Sequence, residues 1–193
     1  EKDEVRAMTK ENGLECHDAP DSEENCFIPD NDYAKYIEEN YRRVDEGNFI
    51  SPDGKVCGRH SGIIHYTVGQ RKGLGLAMGE PVYVCDKDMA KNTVTVGPNE
   101  ELMHKTLRAK DWFWHTIPEL TEPIRVFAKA RSRMTEQPAT VYPEDNGFCR
   151  VEFAQPQRAL TPGQAVVLYD GDLVIGGGTV TEILFSPRRQ AAS

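Results

Sequence analysis

The sequence has no long hydrophobic run and no paired cysteine motif. No stretch of about eighteen apolar residues occurs in the 193-residue chain, so we expect no membrane-spanning helix. The first five residues are mostly charged, and we expect no signal peptide there. The five cysteines are scattered without a Cys-x-x-Cys pair, which argues against a zinc site and against a disulfide framework. A reducing cytoplasmic location is the expectation that follows.

An excess of basic residues is also lacking, because the net charge is −8. The acidity is local, however. Residues 1–46 hold six Lys/Arg and fifteen Asp/Glu, a net charge of −9, and the remaining 17 basic and 16 acidic residues give +1. Local rather than net charge sets phosphate affinity, so a basic surface on the rest of the chain stays compatible with nucleic-acid binding.

Two short helices are predicted near the N-terminus. The first spans residues 2–12, where Val5 and Met8 form an apolar stripe and Gly13 follows at the position of a left-handed C-terminal cap. The second spans residues 32–41 and places four apolar or aromatic side chains on one face. They are Tyr33, Tyr36, Ile37 and Tyr41.

From residue 47 onward the sequence favours β-structure. Two hairpins are predicted, one across the Asp53-Gly54 turn and one joining residues 81–85 to 93–96, with a helical turn within 66–72 between them. Beyond residue 106, short alternating segments separated by turn residues predict a small antiparallel barrel. Its expected strands are 107–114, 124–131, 139–142, 149–153, 165–169, 173–175 and 179–185.

Four cations between residues 125 and 133 all have odd residue numbers. Side chains on alternate residues of a strand point to the same face, so a strand through this segment would carry a phosphate-binding stripe. The stripe consists of Arg125, Lys129, Arg131 and Arg133. An ordinary solvated outer face is the alternative.

Residues 58–76 hold five of the sixteen glycines, together with His60, His65, Gln70, Arg71 and Lys72. Glycines at this density predict tight turns or close backbone contacts. The cations and donors between them suit an anionic partner, although a turn beside a solvated basic face explains them equally. The spacing is not that of a phosphate loop. For the two histidines, packing or hydrogen bonding is favoured over metal binding, because no third ligand stands at a suitable spacing.

The same stretch carries a resemblance. The run from His65 to Leu76 resembles the Tyr-Thr-x-Gly-Gln-Arg-Lys-Gly-Leu-Gly signature of the tRNA-specific 2-thiouridylases, the MnmA/TrmU family. Segments before the run and far downstream of it match the family as well. They are Asp53-Gly54-Lys55-Val56, Gly58-x-His60-x-Gly62, Thr161-Pro162-Gly163-Gln164 and Gly176-Gly177-Gly178. The resemblance covers about residues 1 to 185.

The resemblance implies a mainly β protein with some α. Residues 1–46 would be the helical end of a nucleotide-binding domain, 47–105 a small central α+β domain, 106–185 a C-terminal antiparallel β-barrel and 186–193 a frayed tail. The family's pyrophosphate loop is absent from the sequence. We therefore expect the C-terminal part of a longer enzyme that uses ATP with Mg, and we expect this part alone to be inactive, with no cofactor or metal of its own.

Cys26 is the predicted catalytic residue. On chemistry alone it is a half-buried structural thiol, because the neighbouring carboxylates would raise its pKa. The resemblance reverses this interpretation, since Asp21-Ser22-x-x-x-Cys26-Phe27-Ile28 matches the family segment that holds a persulfide cysteine. In the family, the outer sulfur of this persulfide is delivered to C2 of an adenylated wobble uridine, AMP leaves, and 2-thiouridine forms. The other cysteines match no motif, and Cys85 and Cys149 are expected to be structurally buried.

The resemblance also implies tRNA contacts, with Lys, Glu and Gln tRNAs as substrates and a sulfur-relay protein or cysteine desulfurase as partner. Arg131 and Ser132 occupy the family's tRNA-contacting pair, and Gln164 matches a third contact. Further candidates for RNA contact are Lys129, Arg133, Gln70, Arg71 and Lys72. Two alternatives to the enzyme stay open, namely a tRNA-docking barrel without chemistry and a translation-factor-like barrel that binds protein.

Overall fold

A computed structural model describes residues 2–13, 33–40 and 45–184. The chain divides into two compact units, Glu1–Arg43 and Val44–Ser193. Within the described residues the protein is mainly β with some α, as the sequence predicts. The same residues contain no helix that is long and apolar enough to cross a membrane.

The first unit contains two helices, α1 (Lys2–Glu11) and α2 (Tyr33–Asn40). Helix α1 has acidic residues in its first turn and Lys10 in its last, which matches the helix dipole. It ends as predicted, because Gly13 has φ +66° and its N–H donates to the Lys10 carbonyl at 3.1 Å. Helix α2 lies within the predicted 32–41 segment.

The second unit begins with a four-stranded sheet in the order β2-β1-β4-β3. Both predicted hairpins are confirmed, since β1 pairs with β2 and β3 pairs with β4, each antiparallel. The strands are β1 (Gly47–Ile50), β2 (Val56–His60), β3 (Tyr83–Asp88) and β4 (Thr93–Gly97). The parallel β1–β4 pair joins the two hairpins into one sheet.

The glycine-rich stretch packs on this sheet. Its apolar side chains Ile63, Tyr66 and Leu74 are buried together with Phe49 and Val84 of the strands. The predicted helical turn within residues 66–72 is wrong. The structure has a short 3-10 turn at Ile63–His65 instead, and the following residues form turns and pair with β3.

The remaining six strands form a closed antiparallel barrel in the order β10-β5-β8-β7-β6-β9. They are β5 (Met103–Trp114), β6 (Ile124–Lys129), β7 (Gln137–Pro143), β8 (Cys149–Arg158), β9 (Ala165–Asp170) and β10 (Leu173–Leu184). Aliphatic residues of all six strands and Phe153 fill its interior. The predicted barrel is therefore confirmed.

The barrel corrects one strand prediction. Residues 173–175 and 179–185 were expected to be two strands separated by Gly176-Gly177-Gly178, but the glycines continue a single strand, β10. Two of them face the tryptophans of β5. A Cβ on Gly176 would lie 2.8 Å from the Trp114 ring, and a Cβ on Gly178 would lie 2.8 Å from the Trp112 ring. The glycines thus permit close strand approach rather than a turn.

Candidate nucleic-acid interface

A groove on the barrel brings together residues that are far apart in the sequence. We call it the Arg131 groove, and its volume is about 480 Å³. It is lined by Lys129, Ala130, Arg131, Ser132, Gln164, Ala165, Val167 and Tyr169. Strands β6 and β9 pair antiparallel, with Lys129 opposite Val167. Residues just after the end of β6 therefore meet residues at the start of β9.

Two turns position the polar side chains of the groove. The turn after β6 is closed by a hydrogen bond from the Met134 N–H to the Arg131 carbonyl at 3.1 Å. In the turn before β9, Gly163 has φ +85°, a left-handed conformation that favours glycine. The Gly163 N–H donates to the Val180 carbonyl, and the Val180 N–H donates to the Gln164 carbonyl, both at 2.8 Å. This pair of bonds fixes the Gln164 backbone against β10.

The charge in the Arg131 groove has one sign. Lys129 and Arg131 line it, and its described lining contains no carboxylate. Two other barrel cations are paired with carboxylates: Arg108 Nε lies 2.7 Å from a Glu144 carboxylate oxygen, and Arg150 Nη1 lies 3.1 Å from one of Glu152. The groove is therefore the better site for an anion such as phosphate.

Gln164 places its side-chain amide in the lining of this groove. Its side-chain oxygen Oε1 is buried and has no hydrogen-bond partner among the described residues. A buried amide oxygen left without a partner costs free energy, which a donor from a bound molecule would recover. Amino groups of bases and the ribose 2′-hydroxyl are such donors.

The predicted cationic stripe is only partly present. Arg125 and Lys129 lie on β6 and alternate with the buried Val126 and Ala128, as the parity argument requires. The strand ends at Lys129, however, so the four cations do not share one strand face. Arg131 belongs to the turn and lines the groove, whereas the exposed Arg133 belongs to the turn but is not among the lining residues.

Gln70, Arg71 and Lys72 lie apart in the glycine-rich stretch. The Gln70 amide is engaged within it, because the Thr67 N–H donates to Oε1 and Nε2 donates to the Lys72 carbonyl, both at 3.0 Å. Gln70 therefore organises the loop. Arg71 and Lys72 are exposed, and Arg71 lines a separate cavity of about 370 Å³.

His60 has the packing role that the sequence favoured. It is 2% exposed, and its ring lies 5.4 Å from the Phe49 ring and 5.6 Å from the Tyr66 ring. Burial lowers the pKa of His60 below its ordinary value of 6.5. Neither His60 nor the exposed His65 belongs to a cluster of three metal-ligating residues in the part of the chain that the structure covers.

The cysteines divide by position. Cys26, the predicted persulfide carrier, lies outside the described residues. Cys149 is buried as predicted, and burial raises the pKa of its thiol to about 11, which keeps the thiol protonated. Cys85 is half-buried, and its thiol donates to the Tyr83 carbonyl at 3.2 Å.

Sequence reasoning missed the aromatic residues beside the groove. Tyr169 lines it, and Phe127, directly opposite Tyr169 on β6, is 46% exposed. The parity that singled out Arg125 and Lys129 also applies to Phe127, and this signal could have found it. The pairing with Tyr169 requires the strand register, which the sequence does not supply.

Two family models match the chain. One, described as a tRNA methyl transferase PRC-barrel domain, matches residues 35–98 and so includes the four-stranded sheet. The other, described as an aminomethyltransferase beta-barrel domain, matches residues 104–180 and covers most of the six-stranded barrel. The matched ranges follow the division between sheet and barrel.

Three similar proteins are each named tRNA-specific 2-thiouridylase MnmA. The Acetivibrio thermocellus protein is 51% identical over 180 residues, which is 93% of this chain and 50% of that protein. The proteins of Halothermothrix orenii and Clostridioides difficile are 46% and 45% identical, over 94% and 95% of this chain and 51% of each relative. The chain therefore spans about half the length of these relatives.

Proposed function

The chain belongs to the MnmA/TrmU family of tRNA-specific 2-thiouridylases, and from this premise we propose that its barrel docks tRNA for 2-thiolation of the wobble uridine. The Arg131 groove is the docking site. Lys129 and Arg131 bind backbone phosphate, and the Gln164 amide oxygen accepts a hydrogen bond from a base or a ribose.

One observation carries this proposal. Arg131, Ser132 and Gln164, the three positions that the family resemblance implies in tRNA contact, line a single groove although they come from two separate turns. Two cations, no carboxylate in the described lining and an amide oxygen without a partner make this groove suitable for RNA.

The chemical step of the proposal uses Cys26. As a persulfide its outer sulfur bonds to C2 of the adenylated uridine, and AMP leaves with the C2 oxygen. A second cysteine thiolate then attacks the Cys26 sulfur, which breaks the S–S bond, leaves the outer sulfur on C2 and joins the two cysteines in a disulfide. ATP with Mg supplies the adenylyl group. The Gly69 and Gln70 N–H groups donate to the Val84 and Thr67 carbonyls at 2.8 and 2.9 Å, and are not available to phosphate. We therefore assign ATP to residues other than these.

The proposal extends to partners and location. A cysteine desulfurase or sulfur-relay protein would load Cys26, the substrates would be Lys, Glu and Gln tRNAs, and the location would be the cytoplasm. A tRNA-docking module without chemistry is the alternative function. The groove geometry supports docking in both cases, and only the role of Cys26 separates them.

Substitution of Arg131 tests the docking site. We expect Arg131→Ala to weaken binding of a wobble-uridine tRNA transcript by about 5- to 20-fold and to reduce the slope of log K against log salt by about 1, because one phosphate contact is lost. The measurement is fluorescence anisotropy with the 193-residue chain at several salt concentrations.

Arg59→Ala is the matched control. Arg59 is an exposed arginine of the sheet, and its Nη2 lies 3.2 Å from a Glu46 carboxylate oxygen. We expect this variant to bind like the wild type. Equal losses in the two variants, or none in either, would remove the groove as the docking site and favour a barrel that binds protein.

A further inference from the structure

A second groove crosses the outer face of the barrel. We call it the Phe127 groove, and its volume is about 430 Å³. Its lining includes two cations, three aromatic side chains and two carboxylates, namely Lys105, Arg125, Phe127, Tyr142, Tyr169, Glu152 and Asp170. Tyr169 also lines the Arg131 groove, so the two grooves are neighbours at this residue.

Three ring-bearing residues form a row across this face. Phe127 on β6 stands opposite Pro138 on β7 and opposite Tyr169 on β9. Phe127 is 46% exposed, Pro138 is exposed and Tyr169 is half-buried. An exposed aromatic ring on a rigid sheet, flanked by further apolar surface, is a platform on which a nucleobase stacks.

Cations lie on both sides of the Phe127 ring. Arg125 and Lys129 are two residues away on the same face of β6, about 7 Å from Phe127 along the strand in each direction. Lys105 contributes a third cation from β5. This spacing places positive charge on both sides of a stacked base, where the sugar–phosphate backbone enters and leaves.

Two carboxylates also line the groove, and one of them is compensated. Glu152 accepts a hydrogen bond from Arg150 Nη1 at 3.1 Å, and the Arg150 guanidinium lies 4.1 Å from the centre of the Tyr142 ring. Tyr142 is thereby covered by Arg150. Asp170 stands at the end of β9, one residue beyond Tyr169. Phe127 is therefore the ring of this groove that is best placed for a ligand.

A third cavity of the barrel has a mainly acidic lining. Its volume is about 660 Å³, and it lies beside Trp112 and Trp114. Its charged lining residues are Lys110, Asp111, Glu119, Glu144 and Asp145. Four carboxylates against one lysine do not suit RNA. The observations therefore favour the Phe127 groove.

We propose that the Phe127 groove is a second RNA subsite, in which an unpaired nucleotide of the bound tRNA stacks on Phe127 while Arg125 and Lys129 contact its flanking phosphates. This inference rests on the proposed function, because it extends the Arg131 groove along the same RNA. It assigns to the barrel a base-stacking contact in addition to phosphate contacts.

Phe127→Ala tests the stacking contact. We expect the 193-residue chain with this change to bind the wobble-uridine tRNA transcript about 5- to 100-fold more weakly, with an unchanged salt slope, since a stacked base carries no charge. Phe127→Trp should bind at least as well as the wild type. Arg125→Gln should lower the salt slope by about 0.7, the value for one phosphate of a single strand.

Phe113→Ala is the matched control, because Phe113 is a 66% exposed phenylalanine of the same barrel that does not line the groove. A circular-dichroism melt of each variant checks that it folds. We expect Phe113→Ala to leave the affinity unchanged.

The outcomes separate the two proposals. If the wild type does not bind tRNA, or if Arg131→Ala has no effect, the proposed function fails. If Arg131→Ala weakens binding while Phe127→Ala matches Phe113→Ala, the docking site stands and the second subsite is overturned, which leaves the Phe127 groove to a protein partner. A folded Phe127→Leu variant with wild-type affinity would overturn the stacking contact.

Discussion

Gln70 and Gln164 both follow a glycine in a turn, yet their amides have different surroundings. Both polar atoms of the Gln70 amide bond to its own loop, whereas the buried Oε1 of Gln164 has no partner in the described residues. Gly69-Gln70 and Gly163-Gln164 are the same dipeptide, so the local sequence does not distinguish them. The difference follows from what each turn packs against.

His60 illustrates the same point for a titratable residue. Its pKa is lowered because the buried ring is costly to charge. Below about pH 6.5 the unfolded chain therefore binds more protons than the folded chain does. The contribution of His60 to the free energy of unfolding is therefore fully present above this pH. It is lost as the pH falls towards the lowered pKa of His60 in the folded state.

We predict that the free energy of unfolding decreases as the pH is lowered from 7.5 to 5.5, and that His60→Gln flattens this dependence. Urea titrations at several pH values measure it. His104, whose pKa burial also lowers, contributes in the same direction, so part of the dependence remains. His115→Gln, at an exposed position of the barrel, is the control. A pH dependence unchanged by His60→Gln would contradict the assignment.

At the scale of elements, β5 changes its inward-facing parity at a bulge. Thr179 pairs with Lys110 and Gly177 pairs with Phe113, so Asp111 and Trp112 together stand opposite Gly178. Asp111 has φ +54°, which fits the first residue of such a bulge. Leu107 and Ala109 face the core before the bulge, and Trp112 and Trp114 pack against it afterwards.

The two tryptophan rings are stacked, with centroids 5.0 Å apart and an interplanar angle of 8°. The Trp112 indole N–H donates to the Ala109 carbonyl at 3.1 Å, which fixes the ring beside Gly178. The bulge and the glycine are therefore complementary. The bulge turns Trp112 towards the core, and Gly178 leaves room for its ring.

Gly178→Ala should destabilise the protein by about 2–3 kcal/mol, because the new methyl group would overlap the Trp112 ring and lie 3.0 Å from the Lys110 carbonyl oxygen. Both tryptophans of the chain lie in β5, so tryptophan fluorescence during urea unfolding reports on this region.

Gly171→Ala is the control, since Gly171 has open space around it but a φ of +55°. Its cost should be about 1 kcal/mol, from left-handed backbone alone. The packing argument is wrong if Gly178→Ala costs no more than Gly171→Ala.

For the molecule as a whole, the end of β8 is hydrogen-bonded to the short 3-10 turn Asn99–Leu102, which links the sheet to the barrel within the second unit. The Ala159 N–H donates to the Leu102 carbonyl at 2.8 Å, and Arg158 Nε donates to Asn99 Oδ1 at 3.0 Å. Arg158 also lies 5.3 Å from the centre of the Tyr83 ring. The end of β8 thus anchors the barrel to the sheet that carries the glycine-rich loop.

The proposed role of Cys26 is tested by Cys26→Ser in a protein that contains this chain and thiolates tRNA. We predict that formation of 2-thiouridine in a wobble-uridine tRNA, with ATP and a sulfur source, falls below detection while tRNA affinity is unchanged, because a serine hydroxyl cannot carry sulfane sulfur. Cys57→Ser, at a half-buried cysteine of the sheet, should retain activity. Persistent thiolation in Cys26→Ser would leave the chain as a docking module.

Much of the fold was predictable because it depends on short-range patterns. Alternation marked the barrel strands, the Asp53-Gly54 turn marked the first hairpin, and Gly13 marked the end of α1. The family signature lies in the glycine-rich stretch, where turn geometry demands particular residues. The domain boundaries and the role of Cys26 stay predictions.

The sequence by itself determined the fold class, the positions of most strands along the chain and the residues to examine for tRNA contact. Only the tertiary structure decided which of them meet. Barrel closure sets β6 beside β9, and this pairing joins Arg131 and Ser132 to Gln164 and aligns Phe127 with Tyr169. Register, bulges and strand ends depend on contacts between distant segments of the chain. A shift of one residue in the register of a strand would turn its side chains to the opposite face.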